Sequence, residues 1–375
     1  MSFLHQHGAF VFFVYVCAAC LIGLIGIADV GFSAFWRNLF TVVFEVLVGA
    51  GVTVLVIDRF NEYRATESLK RRLIREAGSR SHDIAISAVE WMDREGWLRG
   101  EDGLLKGADL REARLSEARM EGANLEGADL YMADFRGSKL NGVNLRDANL
   151  FGSDMRCRTE LREADLSGAK LGRANLERAV LQNAKLNRAE LVFANLRRAD
   201  LVNATLKDAM MLETNLEASN LYEADLEGAN LMDTNLKTAR GLKNVTLKAA
   251  DLSFVDLEGV DLCEMDLSGA SLQCVDLRNA KLFDTNLHSA DLRGAYLEGA
   301  SLLLEERRYE SFSKRSTDRD WTGTILTGAI LPDDRVFTDD MVFEDILPYI
   351  DRNHKDFEAT LRKINEHPAR RRSRN

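Results

Sequence analysis

Residues 161–181 read Leu-Arg-Glu-Ala-Asp-Leu-Ser-Gly-Ala-Lys-Leu-Gly-Arg-Ala-Asn-Leu-Glu-Arg-Ala-Val-Leu. A leucine returns at every fifth place, an alanine stands two places before each of the last four, and Asp165 and Asn175 occupy the place between. The pattern extends both ways. Upstream it runs Leu105, Leu110, Leu115, Met120, Leu125, Leu130, Phe135, Leu140, Leu145, Leu150, Met155, then resumes one residue late at Leu161. It keeps step to Leu236, slips once more to Leu242 and continues to Leu302. A period of five matches neither the 3.6 of a helix nor the 2 of a strand. Internal repetition over such a length means a solenoid.

With its forty in-step positions, Leu105–Leu302 resembles the pentapeptide-repeat family. The resemblance implies an all-β, right-handed quadrilateral β-helix of about ten coils. Four pentapeptides make one coil, and the large residue and the small one two places before it point inward. At the ~4.8 Å spacing of neighbouring strands, ten coils make a stack of roughly 50 Å.

If a coil is twenty residues, i and i+20 are stacked neighbours and should avoid like charge. Glu177, Arg197, Glu217 and Lys237 alternate in sign along one such column. Glu223 with Lys243 and Glu258 with Arg278 are expected pairs of the same kind. The slips at Arg156–Glu160 and Lys237–Gly241 each insert one residue and read as bulges. Beyond the second, the small position becomes bulkier (Val245, Val255, Val260, Met265, Val275), so the interior there should pack differently.

At 375 residues the chain has room for two or three domains. A formal charge of −10 and an acidic composition argue against direct nucleic-acid binding. The imbalance is local: residues 201–300 hold 8 basic and 17 acidic side chains, against 17 of each in residues 101–200. Five cysteines without stacking register suggest no disulfide framework.

Ala9–Ala28 carries no charge and is long enough to span a bilayer, and Leu39–Ile57 is a second apolar run broken only by Glu45. Seven Lys or Arg residues follow between Arg59 and Arg80, against Arg37 alone in the loop Asp29–Asn38. The positive-inside rule then places both termini and the solenoid in the cytoplasm. Glu45, the one ionisable group within a span, is a functional candidate by default, but the favoured reading is a residue within reach of the outer interface that faces the partner helix or another protomer. Small residues at Ala19/Gly23 and Gly49/Thr53 permit close helix packing and homo-oligomer formation.

A solenoid needs its ends covered. Asp58–Ala77 reads as a charged helix continuing the second span. A further helix, with Ile84, Ala88 and Trp91 or Met92 on its inner face, forms the N-terminal lid together with Trp97 and Leu98. The expected organisation is a transmembrane hairpin (1–58), a juxtamembrane helix and cap (59–100) and the β-helix (101–304). A polar excursion with a last partial coil (305–332) and a short helical cap with a basic tail (333–375) complete it.

No histidine sits with Cys, Asp or Glu at metal-ligand spacing, and no phosphate loop or nucleophile elbow occurs. The Asp and Asn before the leucines are dispersed one per coil face, and a corner-forming role explains them. The sequence offers no catalytic, cofactor or metal site. The leading expectation is a non-enzymatic membrane-anchored scaffold, bound to the bilayer through residues 9–57 and to a protein partner through its outer surface. The alternative comes from the resemblance: some soluble members mimic the shape and charge of B-form DNA, bind DNA gyrase and protect it from quinolones. Two windows, 208–236 and 249–277, each hold seven acids and no base. They nominate Glu213, Glu223, Asp233, Asp256 and Asp276 as the candidate interaction surface.

Overall fold

The computed structural model describes residues 34–301 and Arg335, with side chains described from Gly51 onward. The first apolar run, Ala9–Ala28, the excursion after Leu302 and the expected C-terminal cap lie outside the described residues. The chain divides into two compact units, Met1–Arg72 and Leu73–Asn375. The boundary falls inside a single helix.

That helix, α1, spans Ala34–Ala77. It therefore includes the backbone of the second apolar run and continues through the charged segment after Asp58 without a break. Along Gly51–Tyr63 it exposes Val52, Val54, Leu55, Val56, Ile57, Phe60 and Tyr63. Among the described residues, no helix is long and apolar enough to cross a membrane. Gly78–Ser81 separates α1 from α2, His82–Arg94. Gly96, at φ 73°, ends α2 in the left-handed conformation and donates its N–H to the Asp93 carbonyl.

The inner face of α2 is Ala85, Ala88, Val89 and Met92, all buried. This corrects the expected lid, because Ile84 and Trp91 are 48% and 43% exposed. Ala88 and Met92 belong to the expected face and are buried; the 3.6 period leaves the phase open, and Ala85 and Val89 take the inward places expected for Ile84 and Trp91. Trp91 lies outside, under the guanidinium of Arg94. Leu98 is buried as expected, and its carbonyl accepts from Asn124 N–H at 2.7 Å. Arg99 pairs antiparallel with Ala123, so the lid is joined to the first coil by backbone bonds.

From there the chain winds in coils of four two-residue faces. Parallel bridges join each residue to the one twenty later: Asp109–Asp129–Asn149 on the first face, Arg114–Asp134–Asp154 on the second, Arg119–Lys139 on the third and Asn124–Asn144 on the fourth. The first face carries ten such residues, from Asp109 to Asp291, which agrees with the expected coil count. The inward columns are sealed, with Leu110, Leu130, Leu150, Leu171 and Leu191 all 0% exposed. Burying a leucine stabilises by about 2 kcal/mol, and each also closes the gap left by the alanine column. Most hydroxyls that replace that alanine return to the backbone: Ser219 Oγ donates to the Leu216 carbonyl at 2.8 Å and Thr214 Oγ1 to the Leu191 carbonyl at 2.8 Å, whereas the buried Ser153 Oγ finds no partner among the described residues.

Corners are made twice over. The Asp or Asn before each leucine accepts the backbone N–H two residues later, as Asn195 does from Arg197 at 3.1 Å and Asp225 from Glu227 at 3.2 Å. The residue two after the leucine adopts positive φ, for example Glu112 at 57° and Phe193 at 60°. Its N–H reaches the next coil, Glu112 donating to the Tyr131 carbonyl at 2.8 Å. Tight corners need that conformation, and this backbone bond offsets a strain of about 1 kcal/mol per non-glycine residue.

The first insertion is where the repeat places it: Lys139 bridges Glu160 rather than residue 159, and Cys157 and Arg158 both take positive φ. The second lies later than expected. Arg240 still pairs with Asn220 in step, and the extra residue enters as the 3₁₀ turn Leu242–Asn244. Gly241 takes the leucine's place at φ 76°, where a Cβ would lie 2.7 Å from the Tyr222 nitrogen, and Leu242 fills the interior in its stead. Beyond it Val245, Val255, Met265 and Val275 are buried as the sequence suggested, while Val260 is only half-buried.

Candidate interaction surface

Ion pairs run between coils along the exterior. Arg197 reaches Glu177 at 3.6 Å and Glu217 at 3.2 Å, so three members of the alternating column are joined. The fourth is not: Lys237 turns the other way, to Asp256 at 3.1 Å and Glu258 at 3.0 Å. Lys243 likewise pairs with Glu264 at 3.3 Å instead of Glu223, and Arg278 folds onto Asp276 beside it rather than onto Glu258. The second insertion alters which rows oppose each other, and an arginine two residues from an aspartate finds that carboxylate first. Arg136 does the same with Asp134 at 2.7 Å. Its hydrogen bonds hold the Asp134 carboxyl below the ordinary aspartate value against the opposing effect of burial.

These pairs neutralise much of the acidic half. Lys207, just before the first acid-only window, lies 3.0 Å from Asp225 and 2.7 Å from Glu227. Of the five nominated acids, Asp256 and Asp276 are paired and bridge each other on the second face. Glu213, Glu223 and Asp233 are exposed and make no ion pair with a described basic residue. All three occupy positive-φ corner positions. Glu213 N–H donates to the Met232 carbonyl, which puts Glu213 and Asp233 on successive coils of one corner, between the first and second faces. Glu223 stands ten residues away, on the opposite corner, where its carboxylate holds the pKa of the neighbouring Tyr222 hydroxyl above the ordinary value. Four of the five thus share a corner and its adjoining face; Glu223 is apart. Partial desolvation at the corner moves the Asp233 carboxyl up from its ordinary value, although the side chain as a whole is exposed. Glu45 lies in α1, with its side chain outside the described residues.

The same corner carries what the charges did not reveal. Tyr131, Met132, Phe151, Phe193 and Met210 are between 39% and 51% exposed, and they stand on this corner or on the first-face position beside it. On the β-helix just one other large apolar side chain among the described residues, Tyr222, is as exposed. Tyr131 and Phe151 stack with centroids 5.9 Å apart and planes 4° from parallel. Gly172 follows in the next coil, where a Cβ would press on the Phe151 ring at 3.0 Å. Arg173 then lies 5.6 Å over the Phe193 ring. Their sequence spacings, twenty or twenty-one residues, were the available signal.

A comparison with curated protein sequences finds no match. Among solved structures, HetL, a pentapeptide repeat protein involved in heterocyst differentiation regulation in the cyanobacterium Nostoc, is 28% identical; the match covers 67% of this chain and 99% of that one at a TM-score of 0.40. The plasmid-mediated fluoroquinolone resistance protein QnrB1 is 21% identical over 51% of this chain and 87% of its own, at 0.27. A pentapeptide repeat protein of the Arabidopsis thaliana thylakoid lumen is 28% identical over 36% of this chain and 77% of its own, at 0.15. The family model described as pentapeptide repeats matches in 8 copies, at residues 104–142, 132–157, 159–198, 199–237, 247–282 and 280–302. Together these matches take in just over half of the chain, and with the twenty-residue coils and sealed leucine columns they establish that it belongs to the pentapeptide-repeat family.

Proposed function

We propose that this pentapeptide-repeat protein is a non-enzymatic interaction module tethered to the cytoplasmic membrane. Residues 9–57 form a two-span hairpin, 59–100 the juxtamembrane helix and cap, and 101–304 the presenting body. The segments 305–332 and 333–375 close the far end. Both termini lie in the cytoplasm, with Asp29–Asn38 on the other side. The observation that carries this reading is the exposure of Val52, Val54, Leu55, Val56 and Ile57 on α1. At 100° per residue these positions surround the helix, so no single protein face could cover them, whereas hydrocarbon covers every side. The rest of that span, Leu39–Ala50, is assigned from its sequence. The basic residues from Arg59 to Arg80 supply the orientation. Function then resides in what the outer corners and faces bind. Full-length protein should stay with membranes through alkaline carbonate extraction; its quantitative release into the supernatant would overturn the tether.

A second reading, acidic mimicry of DNA towards a topoisomerase, draws on the three acids that pair with no basic residue among the described residues. Against it stand the inter-coil ion pairs through the rest of the acidic half. Inhibition of gyrase supercoiling by the protein, abolished by reversing Glu213 and Asp233 to lysine, would favour mimicry over the scaffold.

A further inference from the structure

The apolar corner has an order along the coil stack that singles out one partner. Seven successive coils present there, in turn, Tyr131/Met132, Phe151/Gly152, Gly172/Arg173, Val192/Phe193, Leu212/Glu213, Met232/Asp233 and Ser253/Phe254. Phe193 is at the middle. Arg173 stands one coil before it and Glu213 one coil after it, each ~4.8 Å away along the stack. The coil before the run carries Arg111 and Glu112.

We propose that this corner is the contact between two copies of the chain, packed side by side and antiparallel about a two-fold axis through Phe193. Reversing one copy about Phe193 sets its Arg173 opposite Glu213 of the other, and the two-fold repeats that pair, so both charges are met twice. Tyr131 and Met132 then face Phe254, Phe151 faces Met232, and the two Phe193 rings meet on the axis. A parallel arrangement in register would instead oppose arginine to arginine and glutamate to glutamate. An isologous contact requires self-complementarity; Arg173 and Glu213 supply it in the antiparallel direction only, where Asp233 comes to lie beside Gly152, one coil from the other copy's Arg173. At 39–51% exposure, Tyr131, Met132, Phe151, Phe193 and Met210 offer roughly 400 Å² per copy, given ~200 Å² for a large side chain. That is about half of the ~800 Å² per partner in a standard interface. The polar first and second faces flank the corner and supply the rim, so the dimer is a reversible one. The contact involves neither α1 nor the tether.

The test is the oligomeric state of the full-length protein in detergent micelles, measured by sedimentation velocity across a range of concentrations. Wild type should show a reversible dimer. Phe193→Glu should weaken it by about a hundredfold or more, since it puts two carboxylates on the axis. Arg173→Glu and Glu213→Arg should each weaken it by about tenfold, and the double variant R173E/E213R should restore it. These side chains are exposed and the substitutions leave the inward columns untouched, so circular dichroism of every variant should match wild type. A protein monomeric at all concentrations would overturn the proposal. A dimer indifferent to Phe193→Glu would place association elsewhere, including in the N-terminal apolar segment. Loss with Phe193→Glu but no recovery in the double variant would refute the antiparallel arrangement.

Discussion

Leu201 and Asp200 are neighbours in sequence and opposites in environment. Leu201 is 0% exposed in an inward column, while Asp200 accepts hydrogen bonds from Gln182 at 2.7 Å and Asn220 at 3.3 Å on the outside. Leu201→Asp buries an unpaired carboxylate and should cost several kcal/mol. Asp200→Leu loses outer hydrogen bonds and part of a corner, for about 1 kcal/mol. Urea midpoints of the two variants should therefore separate widely; equal shifts would mean that the inward register is wrong. The same logic accounts for the many Asp and Asn residues that could pass for catalytic carboxylates. Each is occupied by the corner it builds.

At the scale of the element, the two insertions show how much distortion the coil accepts. The first adds a residue in a wide corner with Cys157 and Arg158 both at positive φ. The second needs Gly241, whose missing Cβ lets the Tyr222 backbone approach. Gly241→Ala should cost about 3 kcal/mol or more through strain and clash together. Gly259→Ala, at φ 69° with nothing within 4 Å of the added carbon, should cost about 1 kcal/mol. Thermal melts of the pair would check this, and equal losses would contradict the account of the second insertion. The fivefold period made a solenoid and the first insertion legible from sequence, and the family resemblance supplied the β-helix and its coil count. The second insertion was misplaced by a few residues because Lys237–Arg240 keeps step and only the following turn takes up the slack. The lid face was right at Ala88 and Met92 and wrong at Ile84 and Trp91, because helical spacing fixes a period and not a phase. The charge column was legible as far as Glu217, and its continuation failed where the added residue changed the opposing row. The apolar corner escaped notice because its members are twenty residues apart, among polar neighbours, and become one feature only when the coils stack.

For the whole molecule, the account joins an apolar N-terminal segment to a rigid surface patterned by corners and ion pairs. Its central claim is that the β-helix is held at a membrane, on the cytoplasmic side. The most direct measurement is labelling of single cysteines in intact cells with a membrane-impermeant maleimide, in full-length protein whose five native cysteines are replaced. One cysteine goes at Ser33, in the short loop between the apolar runs, and another at Ser289, an exposed corner position of the β-helix. The account predicts labelling at Ser33→Cys in intact cells, and at Ser289→Cys only after the cells are opened. Labelling of Ser289→Cys in intact cells with protection of Ser33→Cys would invert the topology, and protection of both until lysis would contradict a spanning hairpin.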